Sequence, residues 1–243
     1  MGVAASAHVS CIGHRLSENA PPAGSLAEAV AAFGLDVPEP SVELLDAYRE
    51  QLWSWNEKLN LTRHTTFEKF VARDLFDTLQ LSELLPPGER VLDVGSGGGV
   101  PGLPLAILRP DLDVSLCESV AKKANVLAAV VEHLELPVTV HAGRVEAVVD
   151  PRSEIAPFDT LVARAVAPLW KFMRWLRPHP QGWGRLLLVK GPAWVEERGE
   201  ARHRGLMKGY QLRRVAEYQT PSTDAVTTVL QVNRAEPKPG GPR

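Results

Sequence analysis

Three glycines separated by single residues, Gly95, Gly97 and Gly99, follow a short apolar stretch, Val91 to Val94, that contains the acid Asp93. Without Cβ atoms, such a loop can take positive φ and let a ligand lie against the backbone. Pro101 then stands where a helix can begin, and a helix start presents free N–H groups. Strand, tight loop and helix start together make a seat for a nucleotide-like group. Glu118 ends the next apolar stretch, Val114 to Cys117, about where an acid would bridge ribose hydroxyls.

The dinucleotide fingerprint requires glycine at its first, third and sixth positions, but the sixth position counted from Gly95 is Val100. The Gly-x-Gly-x-Gly spacing resembles instead the first motif of the S-adenosylmethionine-dependent methyltransferases, which bind no pyrophosphate and whose carboxylates tolerate a sulfonium charge. A nicotinamide or flavin site and a purely structural glycine turn are the competing readings of the loop.

If a methyl donor sits there, the residues elsewhere restrict the acceptor. Methylation of exocyclic base amines usually needs an Asp/Asn-Pro-Pro-Tyr cluster after the fourth strand, and that place reads Ala163-Arg164-Ala165-Val166-Ala167. Carbon-5 of a pyrimidine needs a nucleophilic cysteine. Cys117 lies inside the second strand and Cys11 in the N-terminal tail. A ring nitrogen with a free lone pair, such as guanine N7, needs only alignment and proximity. Arg164, at the end of the fourth strand, falls in the crevice where open α/β sheets bind ligands. It could hold the acceptor base, a phosphate or the methionine carboxylate, or serve only as a salt bridge.

The elements that must position these groups follow from periodicity. Residues 1–24 are small, polar and punctuated by proline and glycine, and read as a disordered tail. A short helix is expected over Ser25 to Phe33. A longer one, capped by Ser41, carries Leu44, Leu45, Tyr48, Leu52, Trp55 and Leu59 at helical spacing. Glu68 to Leu85 reads as one further helix, stopped by Pro86-Pro87-Gly88. From Arg90, strands (Val91 to Val94, Val114 to Cys117, Val138 to His141, Phe158 to Ala163, Arg185 to Val189) alternate with helices (Pro101 to Leu108, Lys122 to Leu134, Pro168 to Leu176), the pattern of a parallel sheet covered on both faces. A polar helix over Trp194 to Met207 precedes strands at Leu212 to Tyr218 and Val226 to Val232, which are close enough in sequence to pair antiparallel.

Composition bounds the rest. With 243 residues, 44% hydrophobic and 23% charged, the chain can bury one sizeable core. Two cysteines cannot form a disulfide framework, so a reducing, cytoplasmic setting is expected. There is no apolar run of about 18 to 20 residues and no basic-then-apolar leader, so no membrane partner is expected. Met1-Gly2 with Ser6 matches only a loose acylation pattern. The seven histidines and two cysteines show no metal-ligand spacing, so no metal is expected.

The formal net charge of −2 conceals an asymmetry: residues 1–60 hold 8 acids and 3 bases, whereas residues 171–214 hold 11 bases and 3 acids. A polyanion such as RNA would be drawn to the later segment, although a solvated charged surface is the plainer reading. Within it, Lys171, Arg174 and Arg177 share one side of a helix with Trp170, and Lys190 ends the fifth major strand; these four cations are the candidate RNA contacts.

A family resemblance rests on specific residues. Trp55-Asn56 with Asn60-Leu61-Thr62, Arg73 with Asp77, the run LDVGSGGGVPGLPLAILRP from Leu92, Glu118-Ser119 with Lys122-Lys123, Arg144-Val145-Glu146, Phe158-Asp159 with Ala163-Arg164-Ala165, and Leu188-Val189-Lys190-Gly191 together resemble the bacterial 16S ribosomal RNA guanine-N7 methyltransferases, also called glucose-inhibited division protein B. The similarity runs from about Ser41 to Val232.

This resemblance implies a class I S-adenosylmethionine-dependent methyltransferase fold, Rossmann-like, with a mostly parallel sheet, a terminal antiparallel strand and an N-terminal helical cap. The expected division is a tail over 1–24, the cap over 25–88, the methyltransferase domain over 89–234 and a loose tail over 235–243. The resemblance also implies S-adenosyl-L-methionine contacts at Gly95, Val100, Glu118, Ser119, Val145, Glu146 and Arg164, with Asp93, Gly97 and Gly99 completing the loop. Arg164 is the candidate for positioning cofactor or base. The implied partner is the decoding-region loop of 16S RNA, free or in the small ribosomal subunit, and the chain is expected to act as a monomer.

Three departures stand out. The family usually has Arg-His before Leu-Asp-Ser, where this chain has Arg73-Asp74 before Phe76-Asp77-Thr78. Gly-Lys-Lys has become Ala121-Lys122-Lys123, and Ser-Arg-Ala-Phe has become Ala163-Arg164-Ala165-Val166. The rival functions are a small-molecule methyltransferase, a nicotinamide oxidoreductase, and an RNA-binding protein without catalysis.

Overall fold

The computed structural model describes residues 22–235. The expected tails lie outside the described residues except at their inner ends, and so do Cys11 and the Met1-Gly2 pattern. At the inner end of the N-terminal segment, Ala23 and Gly24 are tied down: their N–H groups donate to Glu68 Oε1 and Glu28 Oε2, both at 2.7 Å.

Helix α1 (Leu26–Ala32) begins where Ser25 Oγ accepts from the Glu28 N–H at 3.2 Å. Helix α2 (Glu39–Asn56) starts two residues before the expected Ser41 cap. Pro38 and Pro40 set the helix entry, since a proline in the first turn lacks only an N–H that would have no intrahelical partner. The single helix expected over Glu68 to Leu85 is broken into α3 (Phe67–Lys69), a π-helical turn (Phe70–Leu75) and α4 (Phe76–Ser82). Almost every side chain from Phe70 to Thr78 is buried, including Asp74 and Asp77. A wider turn in a buried helix needs a tertiary cause, and π turns recur at functional sites.

The sheet comprises β1 (Arg90–Val94), β2 (Asp113–Glu118), β3 (Thr139–Ala142), β4 (Phe158–Arg164), β5 (Trp183–Lys190), β6 (Tyr210–Gln219) and β7 (Val226–Arg234), ordered β3-β2-β1-β4-β5-β7-β6. The first five strands pair in parallel, and β7 runs antiparallel to both β5 and β6. The last two strands do form the antiparallel pair expected. The final strand, however, inserts between β5 and β6 rather than lying at the sheet edge.

The remaining helices are α5 (Gly102–Leu108), α6 (Ala121–His133), α7 (Val145–Val148), α8 (Leu169–Leu176) and α9 (Trp194–His203); α7 was not expected. Alternation along the strands divides the core. Val91, Val162, Leu187 and Val189 join one cluster with residues of α1, α2, α5 and α6, while Leu92, Val94, Leu161, Leu186 and Leu188 join another with residues of α7 and α8. Leu169, Phe172, Met173 and Leu176 of α8 are at most 1% exposed, so each stabilises the fold by about 1.5 to 3 kcal/mol. Among the described residues, no helix is long and apolar enough to cross a membrane.

The chain leaves β1 toward β2 and β3, then returns to place β4 on the other side of β1. This reversal opens a crevice at the carboxyl ends of β1 and β4.

Candidate active site

At that crevice Gly95 turns the chain with φ +73°, and a Cβ there would stand 2.7 Å from Val166 Cγ1. Only glycine at 95 lets the β4–α8 connection lie across the loop. The Glu118 carboxylate joins the loops after β1 and β2: Oε2 accepts from Gly97 N–H at 2.9 Å and Oε1 from Val120 N–H at 2.7 Å. Beneath the loop, Asp93 is 1% exposed, and its Oδ2 accepts from Gly102 N–H at 3.1 Å at the start of α5. Its Oδ1 has no partner among the described residues, and burial pushes the carboxyl pKa up to about 7.

The cap reaches the same loop from above. Tyr48 Oη donates to the Gly98 carbonyl at 2.8 Å, and a Cβ on Gly98 would stand 2.8 Å from Leu52 Cδ1. Asn56 Oδ1 accepts from Leu61 N–H at 2.8 Å and Thr62 N–H at 2.9 Å, folding the segment after α2 into a turn. Trp53 Nε1 donates to the His64 carbonyl at 3.0 Å, and the Arg49 guanidinium sits against the rings of Trp53 and Phe67. Of the Trp-Asn and Asn-Leu-Thr stretches, Leu61 and Thr62 line the site, and Asn56 holds the turn that presents them.

Two adjoining cavities result. One, of about 240 Å³, is lined by Gly95, Ser119, Val145, Glu146, Trp175 and the Cys117 thiol, among others. The other, of about 360 Å³, takes Gly95, Gly97, Val100, Glu118, Ser119 and Arg164, among others. Gly95, Ser119 and Val166 border both. Asp93 and Gly99 line neither: Asp93 braces the loop from below, and Gly99 is buried within it. The glycine-lined surface and the Glu118 carboxylate suit an adenosyl group with a short charged tail, and ligand pockets commonly have volumes of a few hundred Å³. Trp175 and Lys123, which also line these walls, were missed from sequence. Trp175 lies on a helix more than 50 residues beyond Ser119, and no local spacing marks it.

Arg164 lies on the second cavity but is already committed. Its Nη2 bonds Asp74 Oδ1, and its Nη1 donates to the Arg73 carbonyl at 2.8 Å and to Asp77 Oδ2 at 3.2 Å. His64 Nδ1 stands 2.8 Å from Asp74 Oδ1, and Tyr218 Oη donates to Asp77 Oδ1 at 2.8 Å. Burial opposes the Arg164 charge, but the carboxylates of Asp74 and Asp77 outweigh it and hold its pKa above the ordinary value. Burial raises the Asp77 pKa despite Arg164 and Tyr218. The Arg73-Asp74 departure is thus accommodated locally: His64, ten residues earlier, faces Asp74.

Of the four candidate RNA cations, Lys171 and Arg174 are exposed, and Arg177 is half-buried with Nη1 donating to the Gly205 carbonyl at 3.1 Å. Lys190 differs from expectation. Its ammonium turns inward to Glu197 Oε2 at 2.7 Å and the Ala167 carbonyl at 2.6 Å. Trp170 is half-buried between Arg204 and Lys171, at 4.1 and 5.5 Å from its ring centroid. Burial pushes the Cys117 pKa up to about 12 and so disfavours the thiolate that a nucleophile needs, and Sγ donates to the Gly143 carbonyl at 3.4 Å.

The family model described as GidB, rRNA small subunit methyltransferase G, matches residues 41–226. A protein of Rhodopirellula baltica named Ribosomal RNA small subunit methyltransferase G is 56% identical over 190 residues, which is 78% of this chain and 80% of its own length. A protein of the same name from Chromobacterium violaceum is 42% identical over 173 residues, 71% of this chain and 81% of its own. Among solved structures, the O-methyltransferase from Bacillus cereus in complex with SAH is similar with TM-score 0.53 at 16% identity, covering 78% of this chain and 91% of that one. M. capricolum TrmK in complex with S-adenosyl-homocysteine gives TM-score 0.51 at 15% identity, covering 65% and 68%. At such identities the likeness is one of fold, that of the class I methyltransferases.

Proposed function

Because the chain belongs to the GidB family of rRNA small subunit methyltransferase G proteins, we propose that it transfers a methyl group from S-adenosyl-L-methionine to guanine N7 in the decoding-region loop of 16S ribosomal RNA. The bound cofactor supplies an electrophilic methyl on a sulfonium. This chain's residues supply the seat. Glu118 faces the ribose side, Gly95 to Val100 run beside the methionine portion, and Ser119, Val145 and Glu146 border the adenine side. Asp93 and Gly99 support this seat from beneath.

The observation that carries the acceptor assignment is the state of the titratable groups on the second cavity. These are Glu118, Lys123 and Arg164. Glu118 is held by two backbone N–H groups, and Arg164 is held by two carboxylates. An acceptor with its own lone pair needs none of them to remove a proton and reacts by alignment. The exposed cations Lys171 and Arg174, with Arg177 beside them, support docking of a polyanion on the α8 side. A ribosomal substrate also puts the protein in the cytoplasm.

The test incubates recombinant protein with radiolabelled cofactor and small ribosomal subunits, then maps the label. Label at guanine N7 in the decoding-region loop is expected; label on a small molecule or on protein would defeat the reading. Glu118→Ala should weaken adenosylhomocysteine binding. Lys171→Glu or Arg174→Glu should instead lower RNA affinity and its salt dependence.

A further inference from the structure

Lys190 closes β5, and its side chain is only 10% exposed. Its ammonium donates to the Ala167 carbonyl at 2.6 Å and pairs with Glu197 Oε2 at 2.7 Å. The same Glu197 oxygen accepts from Leu169 N–H, the first residue of α8, at 2.8 Å. One ion pair between β5 and α9 thus holds both the last carbonyl before Pro168 and the first amide after it.

The segment held in this way carries two unusual features. Ala165 has φ +55°, a left-handed conformation that costs energy outside glycine, so surrounding contacts must hold it. Val166, the next residue, packs so closely on Gly95 that a Cβ there would be 2.7 Å away, and it borders both cavities. If the connection relaxed, Val166 would leave the glycine loop and the wall common to the two cavities would open.

We propose that Lys190 and Glu197 are positioning residues for methyl transfer: their ion pair clamps the connection 165–168 onto the glycine loop and so sets the shape of the donor seat. This deepens the methyltransferase reading and rests on it. It also reverses the sequence expectation for Lys190, whose charge acts inward on protein rather than outward on RNA phosphate. Arg164 precedes the same connection and is anchored on the opposite side by Asp74 and Asp77. The connection is therefore gripped at both ends.

The experiment compares Lys190→Met, Glu197→Gln, the double variant and Lys190→Arg in the full-length protein. Four readouts are taken: amide hydrogen exchange at Ala165 to Leu169, adenosylhomocysteine affinity by calorimetry, kcat and KM on small subunits, and the salt slope of RNA binding. Each single variant is expected to speed exchange in this segment and to weaken adenosylhomocysteine binding about tenfold, the scale of a lost charge-assisted hydrogen bond. The double variant should cost less than the sum of the two single ones, because both lose the shared Lys190–Glu197 contact while each also loses or weakens its own bond to the connection. Lys190→Arg should recover part of the affinity, and all variants should keep the native salt slope.

A salt slope reduced by about one in Lys190→Met, with exchange and adenosylhomocysteine affinity unchanged, would identify a phosphate contact and overturn the proposal. Additive effects of the two single variants would overturn it as well. Hydrogen exchange needs neither cofactor nor RNA. If the unaltered protein labels no RNA while the exchange result holds, the function reading fails and the clamp stands.

Discussion

Tyr48 of α2 donates its hydroxyl to the carbonyl of Gly98 at 2.8 Å, so a helix outside the sheet holds the loop that forms the ligand seat. Neither partner is replaceable by size alone: Tyr48 is fully buried, and a side chain at 98 would strike Leu52. Tyr48→Phe keeps the ring and removes one hydrogen bond to a half-buried carbonyl, which should cost about 1 kcal/mol. Urea denaturation gives the stability loss and calorimetry the accompanying fall in adenosylhomocysteine affinity; a native denaturation midpoint would show that the bond contributes nothing.

The Asp74–Arg164–Asp77 cluster joins the π turn, α4 and β4, and Tyr218 extends it to β6. Removing one charge leaves the others buried without balance. Arg164→Met should therefore cost about 3 to 5 kcal/mol, and Tyr218→Phe, which deletes a single hydrogen bond, about 1 kcal/mol. Thermal melts of the two variants should rank in that order, and a reversed order would mean that Arg164 is not the hub.

Asp93 makes stability depend on pH. In the folded chain, burial holds its pKa at about 7, whereas an unfolded aspartate ionises near a pKa of about 4. Between those values the folded state binds more protons than the unfolded one. The stabilisation is complete below about pH 4 and is lost as pH rises through about 7. Asp93→Asn cannot ionise, so its urea midpoint should fall less than that of the native chain between mildly acidic and neutral pH. Parallel curves would mean that Asp93 is already ionised at low pH.

Trp175 is the tryptophan on the cavity walls, half-buried beside Val145 and Glu146. Adenosylhomocysteine should change the tryptophan emission of the native protein, and Trp175→Phe should remove most of that change while leaving the fold intact. An undiminished signal in the variant would place the reporter at another tryptophan.

The strands, the glycine loop and Glu118 are legible in sequence because each is a local pattern: apolar alternation, missing Cβ atoms, or an acid at a strand end. The hairpin of β6 and β7 is legible for the same reason, since few residues separate its strands. What the hairpin pairs with is decided in three dimensions, where β7 takes the open edge of β5.

Arg164 and Lys190 differ in the same way. Their positions at strand ends are local facts, but the use of their charges depends on which carboxylates the fold brings near. Asp74 and Asp77, 90 and 87 residues before Arg164, claim its guanidinium. Glu197, on a later helix, claims the Lys190 ammonium. The π turn belongs with these, because helical periodicity alone predicts an unbroken helix. The linear chain thus determined the strands, most of the helices and the kind of ligand seat, since these depend on short-range backbone preference. Tertiary structure decided which charges face the ligand and which are consumed inside, because ion pairing depends on proximity in space rather than along the chain.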